Sequence, residues 1–348
     1  MTSPVDWQSI ANDWEYAYGK PEATGKIKVE PADFKVIEYL GFEPSGQGEH
    51  VWLHVSKVKQ NTDKVAKALA RFSNVAYKDV SYSGLKDFFA ETDQWFSIWL
   101  PKQGTLDSLS DWSDCKMQGV TINRIERHAK KLRRGSHRSN QFRLVIRDFE
   151  GDYSQFQERC SLIVKSGVPN YFGAQRFGRD FSNMSQARRM LVDQEVVASR
   201  NLRSMLFSAA RSWIFNCIVS KRLEQGTWSS LYPFEPANLN ATNSVFISDE
   251  SEELTDRLEL LDVHPTAPLV GQKNDTNLLE VEQSVIDLYD DLHQGLLESG
   301  LSYTRRPIRL KVTSLNVDKI DSGILLEFEL QRGQFATSVL RELIDTSH

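Results

Sequence analysis

Residues 83 to 100 read SGLKDFFAETDQWFSIWL. The second half, QWFSIWL, is apolar at successive positions rather than alternate ones, the pattern of a strand covered on both faces in the middle of a sheet. The residues just upstream, KDVSYSG (78–84), read as a shorter strand that runs into a turn at Gly84. Asp87 therefore sits in a turn leading to a central strand. An Asp after a Gly in a turn ordinarily bonds its own backbone. Its neighbours also suit chemistry, since Lys86 supplies a countercharge and Thr92 and Gln94 offer hydrogen bonds to the carboxylate or to a substrate. A carboxylate so placed can act as nucleophile or general base without a metal, and the local pattern leaves both the structural and the catalytic role open.

Outward from this turn, strand and helix signals alternate over the first 165 or so residues. GKIKVEPADFKVIEYL and EHVWLHVSKVKQ read as strands, and NTDKVAKALARF as a helix with Asn61 as N-cap and Val65, Leu69 and Phe72 on one face. In NQFRLVIRDF, Phe142, Leu144 and Ile146 alternate with Arg143 and Arg147, which places an apolar face inward and a basic face outward. SQFQERCSLIVKSG reads as a helix with Phe156, Cys160, Ile163 and Val164 inward. Beyond Gly167 the chain turns helical. Its strongest stripe is Leu202, Met205, Leu206, Ala209, Trp213 and Ile214, and the stretch from Gly226 to Leu278 reads as irregular. A helix returns at EVEQSVIDLYDDLHQGLLESG. IRLKVTSLNV and ILLEFELQRG then read as paired strands, and FATSVLRELID as a closing helix with Ala336, Val339, Leu340 and Leu343 inward. Strand-rich ends around a helical middle predict one domain, residues 1–166 and 307–348, interrupted by another at 167–306.

With 348 residues, 40% of them hydrophobic and 26% charged, the chain has the material for a packed core and lacks the signature of disorder. No signal peptide or membrane-length apolar run is found, which predicts a soluble, cytoplasmic protein with no membrane partner. Cys115, Cys160 and Cys217 lie far apart without a C-x-x-C, and the seven His are scattered, so neither a disulfide framework nor a structural metal is expected. Net charge is −5, yet its distribution is uneven. Nine Lys or Arg face the single acid Glu126 between Arg124 and Arg147, TRRPIRLK (304–311) forms a second basic knot, and residues 248–262 are acidic. Such clusters either contact phosphates or form a solvated face.

Several blocks together resemble one family. SGLKDFFAETDQ matches the G-x-K-D-x-x-A-x-T-x-Q signature of the TruD family of tRNA pseudouridine synthases, and NYFGAQRFG (170–178) resembles its second hallmark. PADFKVIEYLGFEPSGQGEH, SNQFRLVIR, SAARSWIFN, PLVG and GQFATSVLRELI are similar to further blocks in the family's order, spanning residues 25 to 345. The resemblance implies a mixed α/β (α+β) fold, a pseudouridine synthase core on a largely antiparallel sheet with an inserted, mainly helical α/β domain. It implies an isomerase, without cofactor or metal, that converts uridine 13 of transfer RNA to pseudouridine. Asp87 falls at the family's catalytic Asp, attacking ribose C1′ or the base, or assisting a glycal intermediate. Phe34, Asn140 and Phe335 fall at substrate-contacting positions, and Phe142 where other pseudouridine synthases carry Tyr. Lys28 matches a basic position able to pair with Asp87, while Lys86, Gln94 and Arg176 complete the expected substrate-binding set. Each also has a plainer reading, as core aromatic, turn residue, surface lysine or tight turn. A monomer with transfer RNA along Arg124 to Arg147 is expected. A binding-only protein would dispense with Asp87, and an unrelated hydrolase would need a second acid or base.

Overall fold

The computed structural model describes residues 5–101, 117–249, 251–272 and 278–346. Cys115 lies outside these residues, and Cys160 and Cys217 are free thiols. The chain divides into two compact units. The first comprises residues 1–21, 161–311 and 334–343, the second 22–160, 312–333 and 344–348.

The second unit is built on a sheet of nine strands among the described residues: β1 (Thr24–Lys26), β2 (Phe34–Tyr39), β3 (His50–Val58), β4 (Val80–Tyr82), β5 (Glu91–Trp99), β6 (Val120–His128), β7 (Ser139–Glu150), β8 (Thr313–Ile320) and β9 (Gly323–Gln331). Its order is β8-β9-β7-β2-β5-β3-β6, with β1 added to β7 and β4 to β5. Every pairing is antiparallel except β2 with β5, where Val36 lies beside Thr92. β5 is thus central, as its unbroken apolar run requires. Phe96 and Ile98 face one side with Val51, Leu53 and Val55, and helix α1 (Thr62–Phe72) covers them with Val65, Ala66, Leu69 and Ala70. Each Val, Leu, Ile or Phe among them taken from water stabilises the fold by about 1.5–3 kcal/mol, and each Ala by less. On β7 the inward alternation holds, with Phe142 between Val36 and Phe328 in register and Leu144 between Phe34 and Leu326. Outward, Arg143 meets Glu327 at 3.4 Å. The β8–β9 hairpin turns tightly at Gly323, whose φ of 135° and close approach to the Ile146 carbonyl exclude a side chain. His50 and His54, four residues apart, lie on extended β3, where that spacing separates them by about 13 Å rather than one helical turn.

In the first unit a helix spanning Arg200–Glu224 runs through a core in which Leu206, Ala209, Trp213 and Ile214 are fully buried. Trp7 and Trp14 pack on Trp213 with ring centroids 4.9 and 5.1 Å away. Met205, expected inward, is 44% exposed, and the buried stripe instead continues through Phe215, Ile218 and Val219. Val164 is likewise exposed, at 46%, while Phe156, Cys160 and Ile163 are buried as expected. The stretch read as irregular folds into strands Pro236–Leu239, Val245–Ile247 and Val263–Leu269, which join Thr304–Pro307 in an antiparallel four-stranded sheet. Pro236, Pro265 and Pro268 lie within these strands and remove the sequence signal of a strand without preventing one. The helix expected over 280–300 is two, Glu280–Leu288 and Asp290–Glu298, broken at Tyr289.

The second basic knot belongs to this core rather than to a phosphate-binding face. Arg305 pairs with the fully buried Glu282, Arg306 reaches Asn170 Oδ1 at 2.6 Å, and Arg309 donates to the carbonyls of Leu258 and Val263 at 2.8 and 3.0 Å. Among the described residues no helix is long and apolar enough to cross a membrane.

Candidate active site

Asp87 lies in the turn between β4 and β5, and two lysines fix it separately. Lys28 Nζ donates to Asp87 Oδ2 at 2.5 Å and sits 4.0 Å from the centroid of the Phe34 ring. Lys57, 1% exposed, donates to the backbone carbonyls of Asp87 and Gln60 at 3.1 and 2.8 Å. Burial pushes the Lys57 ammonium down to about 8. The Asp87 charge works against that shift and Lys86 adds to it. The Asp87 carboxylate is 38% exposed, and its Oδ1 takes no hydrogen bond among the described residues. One oxygen is thus neutralised and held while the other is open.

The expected part of Lys86 is filled differently. Its ammonium turns away from Asp87 to the fully buried carboxylate of Glu38, at 2.8 Å, and the cation that meets Asp87 is that of Lys28. Glu38 also accepts from the backbone N–H of Trp95 at 3.1 Å. Gln94 does not reach Asp87. Its Nε2 donates to Gly84 O at 3.3 Å, and its Oε1 accepts from Thr62 Oγ1, which itself accepts from the Lys86 backbone N–H. Gln94 and Thr62 therefore pin the turn's backbone on one side as Lys57 does on the other. Thr92 Oγ1 is buried with no hydrogen-bond partner among the described residues.

The face beside the turn is aromatic. Phe142 stacks on Phe328 with centroids 5.2 Å apart and meets the Phe34 ring edge-on at 6.2 Å. Phe34 is 4% and Phe142 9% exposed. Asn140, 8% exposed, lies one strand repeat along β7 on the same face, and its Nδ2 lies 3.2 Å from His137 Nε2. Leu85 and Phe88, which flank Lys86 and Asp87, are 67% and 50% exposed. Phe335 and Arg176 belong to the first unit. Phe335 packs on Phe172 at 6.2 Å, and the Arg176 guanidinium lies over the Phe172 ring at 5.2 Å and donates to Ser208 at 2.9 Å.

Of the nine basic residues from Arg124 to Arg147, four are committed within the fold. Arg127 is buried on backbone carbonyls, Arg147 chelates Asp33, Arg124 pairs with Glu43 and Glu126, and Arg143 with Glu327. The other five, Lys130, Lys131, Arg133, Arg134 and Arg138, stand exposed on the loop joining β6 to β7, and none meets a carboxylate among the described residues.

Sequence reasoning missed Glu38, Lys57, Thr62 and His137. For two of them the signal was parity, since Glu38 shares its face with Phe34 and Val36, and Lys57 with Val51, Leu53 and Val55. A charge at an inward position of a strand marks either a mistaken register or a site.

Comparison with known proteins places the chain in a family. The family model for tRNA pseudouridine synthase D (TruD) matches residues 12–198 and 196–343. The chain is 39% identical over 339 residues to a tRNA pseudouridine synthase D of Methylococcus capsulatus, covering 96% of this chain and 95% of the relative. It is 37% identical to one of Hydrogenovibrio crunogenus, covering 99% of each. Its fold is similar to that of a putative tRNA pseudouridine synthase D from Methanosarcina mazei, with a TM-score of 0.72 at 19% identity over 99% of this chain and 98% of that one. Matched by the family model over most of its length and covering 95% and 99% of these two relatives, the chain belongs to the TruD family of tRNA pseudouridine synthases.

Proposed function

We propose that this protein isomerises uridine 13 of transfer RNA to pseudouridine without a cofactor, with Asp87 as the acting carboxylate. The observation that carries the reading is the state of Asp87, with one oxygen held by Lys28, the other open, and its backbone anchored by Lys57. In the reaction the bond from N1 to ribose C1′ breaks, C1′ joins C5, the C5 proton leaves and N1 gains one, so the product is an isomer. The open oxygen suits attack on C1′, addition to the base, or removal of a ribose proton on a glycal route. Phe142 has no hydroxyl and moves no proton, so its part is to stack on the flipped base, and solvent takes the C5 proton.

The target nucleotide has to leave its stack, at a cost of a few kcal/mol, which aromatic contacts of about 1–3 kcal/mol each offset. Phe34, Phe142 and Asn140 are the proposed substrate-facing residues of the second unit, and Phe335 and Arg176 those of the first, while Gln94, fully buried and spent on Gly84 and Thr62, serves the turn instead. The loop carrying Lys130 to Arg138 is the proposed phosphate contact. The protein acts as a monomer, and residues 167–306 are read as an insertion into a catalytic domain formed by 1–166 and 307–348. This concerns which segment interrupts which, a matter separate from packing, in which the chain's first 21 residues and 334–343 join the first unit.

The test is incubation of bulk transfer RNA with the pure protein, followed by mapping of pseudouridine. A product at position 13, abolished by Asp87→Asn with RNA affinity changed by no more than a few fold, supports the reading. Turnover by that variant removes Asp87 as the essential catalyst.

A further inference from the structure

Behind the Lys86–Glu38 pair lie Ser83 and His137, two buried polar residues that the proposed chemistry leaves unused and that lead to Asn140. His137, 6% exposed, has its ring between Ser83 and Asn140. Its Nδ1 contacts Ser83 Oγ, which also accepts from the His137 backbone N–H at 3.0 Å, and its Nε2 contacts Asn140 Nδ2 at 3.2 Å. Two proton arrangements satisfy such a chain. In one, His137 donates from Nδ1 to Ser83 and accepts at Nε2 from the Asn140 NH2, so that the Asn140 carbonyl oxygen faces away from the ring. In the other, Ser83 donates to Nδ1, Nε2–H donates to the Asn140 oxygen, and the amide presents its NH2 instead. Glu38 decides between them. Its Oε2 lies 3.9 Å from Nδ1, and a negative charge there favours the proton on Nδ1. Asn140 Oδ1 is then an acceptor, buried and without a hydrogen-bond partner among the described residues.

We infer that His137 is a specificity-determining positioning residue which, with Glu38 and Ser83, holds the Asn140 amide so that its carbonyl oxygen receives the N3–H of a flipped uracil. The inference rests on the functional reading above. Uracil carries a donor at N3 and cytosine an acceptor, so the orientation of this one amide selects uridine. The opposite orientation sets two donors against each other.

The device also responds to pH. A protonated His137 carries hydrogen on both ring nitrogens, so Nε2–H faces the Asn140 NH2 and the amide must turn over. The charged groups facing the ring are Glu38 from β2, Lys86 from the turn and Arg332 beyond β9. Burial, and after it the two cations, push its pKa below the ordinary 6.5, against the opposing pull of Glu38. The acceptor orientation therefore holds at neutral pH and is lost on the acid side.

The test measures kcat/KM for pseudouridine formation on an unmodified transfer RNA transcript from about pH 5 to about pH 8. It compares the parent enzyme, His137→Phe, His137→Gln, Asn140→Ala and the His137→Phe/Asn140→Ala double variant. His137→Phe should lose about tenfold at neutral pH and lack the parent's fall in acid. Gln at 137 can turn its own amide to accept from Asn140, so His137→Gln should recover to within about threefold and should also lack the acid fall. The double variant should be no slower than Asn140→Ala alone, because His137 acts only through that amide. Additive losses in the double variant, or an acid fall that persists in both His137 variants, would overturn the inference. Should His137→Phe not fold, the persistence or loss of the acid fall in His137→Gln decides alone. A parent enzyme that makes no pseudouridine instead removes the functional reading, and this inference with it.

Discussion

Lys57 gives a prediction whose size can be worked from the structure. Its ammonium is held near 8 against an ordinary value of 10.5, a drop equivalent to about 3 kcal/mol against the charged form in the folded protein. For a base whose pKa falls on folding, the unfolded chain holds the extra proton between the two values. Stability therefore rises with pH through that window, and the penalty is felt in full below it. Between pH 7 and about pH 9.5 this one group should add about 2 kcal/mol to stability. Lys57→Met keeps most of the stem's volume and abolishes the penalty, but it also strips the donor from the carbonyls of Asp87 and Gln60, at about 1 kcal/mol or more each. These effects nearly cancel at neutral pH, so urea unfolding followed by Trp fluorescence should shift by less than about 1.5 kcal/mol at pH 7. The alkaline gain, however, should vanish. Turnover should fall at least about tenfold, because the turn loses an anchor and small displacements of a reacting group are costly. An alkaline gain equal to the parent's, or undiminished turnover, would refute the assignment of Lys57 as the buried anchor of Asp87.

Three further outcomes are expected. Replacing Lys130, Lys131, Arg133 and Arg134 by Gln should weaken transfer RNA binding and flatten the log–log salt dependence by about 0.7–0.9 per lost phosphate contact, read by titration at several salt concentrations, while an unchanged slope makes the loop a solvated face. Phe142→Tyr should keep most activity, and Phe142→Leu should lower turnover while costing less than about 1.5 kcal/mol in a melt, against about 2–5 kcal/mol for Leu144→Ala as the core control. Equal destabilisation by Phe142→Leu and Leu144→Ala returns Phe142 to the core. Leu85→Ala with Phe88→Ala should leave the melting temperature unchanged, since both side chains are exposed, and slow the reaction several fold on folded transfer RNA but not on a short single strand. Equal slowing on both substrates excludes a wedge that fills the vacated stack.

The sheet was legible because period and length agree there. The unbroken run of β5, the alternation of β7 and the closing helix Ala336–Leu343 each fall where the pattern places them. The small sheet of the first unit was not, because prolines occupy positions where strand formers would have signalled it. Asp87 was legible through its motif, whereas its supports were not. Lys86 is adjacent to Asp87 in sequence yet pairs with Glu38, 48 residues away, and Lys28, 59 residues from Asp87, takes its place. Adjacency along a turn says little about side-chain direction, which the strands on either side decide. His137 gave no local sign, because two of its partners, Ser83 and Glu38, reach it from other parts of the chain and give the nearby Asn140 its meaning.

Arg305, Arg306 and Arg309 of the second basic knot and four of the nine cations between Arg124 and Arg147 are held by acceptors inside the fold, while five exposed cations on the loop between β6 and β7 meet no carboxylate among the described residues, on a protein whose net charge is −5. A polyanion approaching such a molecule is repelled by the whole and drawn to one strip. Its orientation is therefore selected during diffusion, before any contact forms. Neutralising that loop should then slow association far more than it hastens dissociation, and adding salt should make the parent enzyme behave kinetically like the neutralised one.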